Sequence, residues 1–428
     1  MHRRRSELAG RAASLRARAL AVAMVVGAAC APVPPPEPAP TPDPQAVLDS
    51  IRRADSLARA AAERARLDSI ARADSIAREV LERARLDSIA RVRAARLRIC
   101  GGGDVLLGTN LDTTWAVRRG VAPFPEPDAL LEPLGPLVAD ADVILFNIEG
   151  AIGEGPAPPK CRPGSTSCYA FRQQPAVADA LARFAGDRRM VGNVANNHAR
   201  DAGAQGLVET MRHLERAGVQ VTGYDSLATV VTAANGESVA ILGFSTSGGP
   251  DPRDLAAVHR HVARAAAEHQ RVVVTMHMGA EGASAQRTPD TTEIFLGSID
   301  RGNMVAFAHT AIDAGGDLVV GHGPHVMRAI EWRDDALAIY SLGNLLTYGP
   351  FTMSEPLNRG GIACATLDGE GSVLEAALRS TVQRPPGIAR PDPTHRAAAL
   401  VDSLGRLDFP LTGARLGANG EILKVPVP

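Results

Sequence analysis

Aromatic residues make up only 4% of this 428-residue chain, and its formal net charge at pH 7 is -1. The first scarcity removes the stacking platform that single-stranded nucleic acid uses. The second removes the basic field that a phosphate backbone selects, so no nucleic-acid partner is expected. Cysteine is also scarce, with five residues and no Cys-x-x-Cys spacing, which argues against structural zinc. The apolar run from Ala19 to Val26 is too short to span a bilayer. The rest is ordinary for a globular protein, 45% hydrophobic and 22% charged, in a chain long enough for two or three domains.

Charge is unevenly spread. Arg3, Arg4, Arg5, Arg11, Arg16 and Arg18 precede that apolar run, which ends in Gly27-Ala28-Ala29-Cys30. A basic region, an apolar core and small residues before a cleavage point describe an export signal. The ending resembles the lipobox of bacterial lipoproteins, with Gly27 where Leu is usual. Either Cys30 is lipidated, anchoring an exported protein to a membrane at the cell envelope, or cleavage simply follows Ala29. Export implies an oxidising compartment. Cys161 and Cys168 flank a Pro-Gly-Ser loop and are expected to form a disulfide; Cys100 and Cys364 either pair across neighbouring strands or stay as buried thiols.

The pattern divides the chain into five segments: a signal at 1–30, a Pro-rich linker at 31–45, a helical stalk at 46–96, an α/β domain at 97–383 and a C-terminal extension at 384–428. The stalk repeats every 19 residues from Leu48 and contains neither Gly nor Pro up to Arg98. Its Asp residues find Arg four positions on (Asp49 with Arg53, Asp68 with Arg72, Asp87 with Arg91), pairs that support a helix. A heptad register would bury Asp55, Ser69, Arg72, Glu79 and Arg83. The reading is a long solvated single helix, about 75 Å at 1.5 Å per residue. A coiled coil, or a basic helix touching anionic lipid or polymer, are the alternatives.

From Arg96 onward, apolar runs alternate with helical patterns, as in an α/β domain. The runs are Leu97-Cys100, Val143-Phe146, Met190-Val191, Val239-Phe244, Val272-Met276, Leu318-Val320 and Leu337-Tyr340; helices are expected at Ala176-Phe184, Gln205-Ala217, Leu255-His269 and Val305-Ala314. Ile362-Leu367 and Ser372-Leu378 lack intervening helices, so the sheet is expected to be mixed. Arg384-Pro385-Pro386 reads as a linker, and Ala418-Asn419-Gly420-Glu421 as a hairpin turn.

The chemistry lies in the residues directly after these runs. In order come Gly101-Gly102-Gly103-Asp104, Asn147-Ile148-Glu149, Asn193-Val194-Ala195-Asn196-Asn197-His198 with Asp201, His277-Met278-Gly279-Ala280-Glu281, and His322-Gly323-Pro324-His325. The Asn-Asn-His knot alone reads equally as a helix cap. Five successive strand ends bearing carboxylates, amides and imidazoles are harder to ascribe to packing, because buried ionisable groups are costly unless paired or coordinated. The mixture suits Mn, Fe or Zn better than calcium. The triple glycine is no phosphate loop, since no Lys-Ser/Thr comes after it.

GGDVLLG, ADVILFNIEGAI, VANNHARDAGAQGL, HMGAE, DAGGDLVVGHGPHV and IYSLGN, read together, resemble the CapA family of bacterial capsule or poly-γ-glutamate synthesis proteins, across about residues 97 to 380. The resemblance implies an α/β/β/α sandwich with mixed sheets, related to calcineurin-like metallophosphoesterases. It implies one or two divalent transition-metal ions (Mn, Fe or Zn): Asp104 on one, Glu149 bridging with Asn147 beside it, Asn197 and His277 on the second, and His322 and His325 divided between them. His198 would protonate a leaving oxygen and Asp201 would hold its tautomer. Asn196 and Asn344 would support the site, and Glu281 would orient His277.

Two departures stand out. Leu106 occupies a position where phosphoesterases carry His, and the last motif is one residue longer than theirs. Two functions are expected on these grounds. One is an envelope metal-dependent hydrolase acting on a phosphoester or anionic polymer. The other is a non-catalytic partner of polymer-synthesis or export proteins. Arg162 and Arg172 are candidate contacts for an anionic substrate; the helical His213, His259, His261, His269 and His309 are expected at the surface or in packing.

Overall fold

The computed structural model describes residues 43–111, 116–162 and 168–425. The signal, Cys30, most of the Pro-rich linker, Trp115 and the Pro-Gly-Ser turn lie outside the described residues. The chain divides into two compact units, Met1–Glu79 and Val80–Pro428. The described part of the first unit, from Pro44, is helix, and this helix (α1, Pro44–Ala94) runs for 51 residues. Its large apolar side chains, including Leu57 and Leu81, are exposed. The ion pairs differ from the expected spacing: among the described residues they fall at i,i+3, as in Arg52–Asp49, Arg66–Glu63 and Arg85–Glu82. All are exposed, so they add little to stability. Among the described residues no helix is long and apolar enough to cross a membrane.

Among the described residues, besides three two-stranded sheets, the second unit holds two large ones. Their strands in chain order are β1 (Leu97–Leu107), β2 (Val143–Ile148), β3 (Arg189–Asn193), β4 (Gln220–Thr222), β5 (Thr229–Thr232), β6 (Ser238–Ser245), β7 (Val272–His277), β8 (Leu318–His322), β9 (Ile330–Arg333), β10 (Ala336–Ile339), β11 (Asn344–Tyr348), β12 (Arg359–Leu367), β13 (Val373–Arg384) and β14 (Ile388–Pro391). The larger sheet runs β14-β13-β12-β1-β2-β3-β4, with β11 also on β1; the smaller runs β9-β10-β8-β7-β6-β5. Parallel and antiparallel pairs occur in both, so the sheets are mixed.

Period-two alternation sorts the side chains into layers. Val143 and Leu145 of β2 face the second sheet, packing with Ile241, Val273 and Val320, while Ile144 and Phe146 face the opposite way, toward Leu181 and Leu214. Those leucines belong to α3 (Ala176–Ala185) and α4 (Gly203–Ala217), which come after the short α2 (Pro127–Leu131). On the far side of the smaller sheet, Val272 and Val274 pack against α5 (Leu255–Glu268) and α6 (Met304–Asp313). The result is the expected α/β/β/α sandwich.

Two expectations are corrected. β13 and β14 pair antiparallel through Arg384↔Ile388, so Arg384-Pro385-Pro386 is a turn within the sheet and no linker. Beyond it α7 (Arg396–Asp408) buries Ala397, Ala398 and Val401 in the inter-sheet core, so the segment after 384 completes the same core. The hairpin expected around Asn419-Gly420 does form, between Arg415–Leu416 and Ile422–Leu423. Cys100 and Cys364 face each other across β1 and β12 and are disulfide-bonded, as are Cys161 and Cys168.

The triple glycine explains how β1 reaches the site. β1 pairs with β12 up to Gly102, then with β11 from Asp104. A side chain at Gly103 would stand 2.1 Å from Gly343 O, and one at Gly102 would strike Phe146 and Leu345. The strand therefore does not end at Cys100; it changes partners through the glycines and delivers Asp104 from its interior. Gly103→Ala should lose about 1–3 kcal/mol by overpacking, read by urea unfolding.

At the opposite strand ends, Asp317 accepts from Val272 N at 2.7 Å. Burial, helped by Asp368, lifts its carboxyl to about 7 against the opposing Val272 N–H and Arg271. The unfolded carboxyl releases its proton near 3.8, whereas the folded one holds it until about 7, so rising pH across that window favours unfolding. Stability should fall across that interval in the native sequence, and Asp317→Asn should flatten the fall and be the more stable protein at pH 8, measured by thermal unfolding against pH.

Candidate metal centre

Strand register assembles the site. Asp104 pairs with Asn147 across β1 and β2, Asn147 with Asn193 across β2 and β3, and His277 with His322 across β7 and β8. The side chain of Asn147 then joins the two sheets. Its Nδ2 donates to Asp104 Oδ1 at 2.7 Å and faces His277 Nδ1 at 3.2 Å. Its Oδ1 accepts from Asn193 at 3.0 Å and from Asn196 at 3.1 Å.

Asp104, Glu149 and His325 offer ligand atoms that all lie within 4.8 Å of one another. His325 Nδ1 stands 2.9 Å from Asp104 Oδ2 and 3.1 Å from Asn344 Oδ1; its Nε2 is 3.6 Å from Glu149 Oε1 and 3.8 Å from Glu281 Oε2. His277 Nε2 lies 3.7 Å from that same Glu149 oxygen. Burial disfavours the Asp104 anion, but the hydrogen bond and charge of His325, with His277 and His322 nearby, outweigh it and hold the carboxyl well below the usual range. Glu149 goes the other way: burial first, then the charge of Asp104, push its carboxyl well up. Burial lowers the His325 imidazole, yet Glu149 and Asp104 together carry it to about 10.

The fit of these side chains to a divalent cation is legible in their unsatisfied atoms. Glu149 Oε1, His277 Nε2 and Asn197 Oδ1 are buried and lack hydrogen-bond partners. A buried carboxylate oxygen and imidazole nitrogen without partners are costly, and a cation is what that donor set accommodates. The cluster forms part of a cleft of about 520 Å³ whose lining includes Leu106, Glu149, Phe171, His198, His325 and Asn344. Another cavity of about 590 Å³, around Arg98, Trp332 and Lys424, shares none of these residues.

Asn196, Asn197 and His198 do not cap the next helix. The cap of α4 is Ala202, with no side-chain bond, while Asn196 Nδ2 bonds Asn147 and Ile148 O and its Oδ1 accepts from His198 N at 3.0 Å. The turn thereby presents His198 to the cleft. His198 Nδ1 lies 2.6 Å from Asp201 Oδ2. Burial, aided by Lys160 and opposed by Asp201, holds the His198 imidazole below its ordinary value.

Several expected roles come out differently. His322 has both nitrogens engaged by the protein, Nε2 on Gly102 O at 2.8 Å and Nδ1 with Thr275 Oγ1 at 3.2 Å, so it braces the glycine turn and leaves no lone pair for an ion. Glu281 does not orient His277; it pairs with the buried Arg301 at 3.1 Å and faces His325, and Asn147 is the neighbour of His277 instead. Arg172 is buried and bonded to Asn110 and Gly155, away from the cleft, and Arg162 is exposed outside it. His309 is bonded to Glu331. Lys160, Arg301 and Phe171, whose ring lies 4.6 Å from that of His198, carry no spacing signal that sequence reasoning could have used.

Removing the Asn147 amide leaves a buried carboxylate, an imidazole and two asparagines short of a partner. Asn147→Ala should cost about 1–3 kcal/mol and weaken Mn²⁺ binding, measured by urea unfolding and by calorimetry.

The chain is 30% identical over 171 residues to the PGA biosynthesis protein CapA of Bacillus subtilis, covering 36% of this chain and 41% of that protein. It is 29% identical over 175 residues to the capsule biosynthesis protein CapA of Bacillus anthracis, covering 36% and 39%. The matches thus span about two fifths of the length of these relatives. Among solved structures it matches a calcineurin-like phosphoesterase of Bacillus subtilis at 10% identity and TM-score 0.40, over 73% of this chain and 98% of that one. The family model described as bacterial capsule synthesis protein PGA_cap matches residues 98–348, more than half of the chain and every residue of the cluster around Asp104, and the protein belongs to that family.

Proposed function

We propose that this protein takes part in making or exporting a capsule or poly-γ-glutamate-type polymer, and that its cleft is a divalent-metal-dependent hydrolase site of phosphoesterase type. The observation that carries the site reading is the convergence of Asp104, Glu149 and His325, with Glu149 Oε1 and the neighbouring His277 Nε2 buried and unpartnered, as is Asn197 Oδ1 next to His198 in the chain. These five residues would hold the metal, one or two ions of Mn, Fe or Zn. When bound, such a cation supplies charge stabilisation for a developing oxyanion and activates water near neutral pH. The relatives' names supply the polymer context.

The protein's own part is proton handling and orientation. Asp201 Oδ2 holds His198 Nδ1, which leaves Nε2 as the atom available to the cleft. Burial favours the neutral form of His198, whose Nε2 can accept a proton from water in the cleft and pass it to a leaving oxygen. Phe171, whose ring lies 4.6 Å from that of His198, and Leu106 give the same cleft an apolar part of its lining. The export signal and the two disulfides support placement outside the cytoplasm, with Cys30 as the lipid anchor.

A second reading has its own observation. Leu106 is 2% exposed and lines the cleft with no ligand atom, and His322, an expected ligand, is engaged by the protein. A non-catalytic partner that binds anionic polymer would tolerate both. Metal analysis and hydrolysis assays on protein starting after the stalk separate the two. The hydrolase reading expects bound transition metal and turnover of an aryl phosphoester, reduced about 10²–10⁴-fold in His198→Ala. Metal-replete protein that binds poly-γ-glutamate but cleaves neither it nor the aryl ester would sink that reading.

A further inference from the structure

Lys160 is one of only two lysines in a chain whose other basic side chains are arginine and histidine. Its ammonium donates to Asp201 Oδ1 and, at 3.2 Å, to Asn197 O, and it lies 3.4 Å from His198 Nδ1. A compact cation with three rotatable donors reaches both acceptors of this turn, Asp201 Oδ1 and Asn197 O, while standing beside the imidazole. The side chain of Asp201 is fully buried, and both its oxygens are occupied: Oδ1 by Lys160, Oδ2 by His198 Nδ1 and, at 2.6 Å, by Phe171 N.

The chain path makes this more than a local ion pair. Lys160 immediately precedes Cys161, and Phe171 comes three residues after Cys168, to which Cys161 is disulfide-bonded. The disulfide therefore closes a loop whose two ends both land on Asp201, one on each oxygen. The approach to the loop is seated as well: a side chain at Gly203 would stand 2.8 Å from Pro158. Holding a long lysine in one rotamer costs side-chain entropy, and closing the loop lowers that cost by limiting where Lys160 can go.

We propose that Lys160, held by the Cys161–Cys168 loop, is a positioning residue that fixes the carboxylate plane of Asp201 and, through it, the tautomer and orientation of His198. This assignment rests on the acid–base role given to His198 above and extends it. Its test is NMR of the full chain labelled with ¹⁵N-histidine, with His198 identified by its loss in His198→Ala. The expected result is a single Nδ1-protonated tautomer with a slowly exchanging Nδ1–H in the native sequence. That signal should be lost in Lys160→Met and in Cys161→Ser/Cys168→Ser, both checked for an unchanged far-UV spectrum. Lys160 should also be acylated by an amine reagent more slowly than Lys424 in the unmutated protein, a measurement independent of any variant. Turnover, where present, should fall about tenfold to a hundredfold in kcat with little change in KM. A slowly exchanging His198 signal that survives in either variant, or equal acylation of the two lysines, overturns the assignment. The histidine readout needs no substrate, so its failure is distinct from a failure of the hydrolase reading.

Discussion

One buried amide holds this site together. Asn147 uses its side chain on both ends, giving hydrogens toward Asp104 and His277 and accepting from Asn193 and Asn196. Its orientation is forced: turned over, the oxygen would face a carboxylate and the amino group would face two others. Through these contacts β1, β2 and β3 of one sheet are locked to β7 of the other, at the ends where their ionisable residues emerge. A sandwich packed only by Val, Ile and Leu between its layers could slide by a fraction of a residue. The polar link specifies one register, since Asn147 meets all four of its partners only there.

That fixed frame makes the charge distribution around it consequential. Asp104 and Glu149 are both buried, and one cation, His325, lies between them. His325 adopts φ 59, the left-handed region, as the residue after Gly323 and Pro324. Such a backbone persists only where the surroundings over-determine it, and here the imidazole is drawn to Asp104, Asn344 and the Glu149 side at once. Even so, Glu149 keeps an oxygen without a partner. A core built for stability alone would have replaced it, and leaving it in place is the kind of local violation that functional sites carry.

The sequence made part of this legible and hid the rest for physical reasons. Apolar runs located the strands, and the residues after them named Asp104, Glu149, His198 and His325, because parallel strands end their ladders at one edge of the sheet. The runs could not show that β1 continues through three glycines, since glycine signals a break unless the neighbours that need its missing side chain are known. Arg384-Pro385-Pro386 looked like a linker for a similar reason: proline marks a turn, and only strand pairing says whether the chain stays in the sheet. His322 carried the right residue type at the right place, but the Gly102 carbonyl that takes its Nε2 lies 220 positions away. Lys160 was invisible because its meaning depends on a loop closed by two cysteines.

Leu106 and His325 set the surroundings of Asp104 from two different elements. Leu106 lies two residues after Asp104 on the same strand, so by the period of the β-strand it points to the same side, into the cleft. An apolar side chain there offers Asp104 neither charge nor lone pair. The longer last motif, His322-Gly323-Pro324-His325, has the opposite effect. Its extra residue carries the final histidine through a left-handed turn and sets Nδ1 2.9 Å from Asp104 Oδ2. The nitrogen partner of this carboxylate thus comes from the loop and not from the strand. Asp104 thereby keeps a nitrogen partner, but one held by a turn whose conformation the surrounding contacts must enforce.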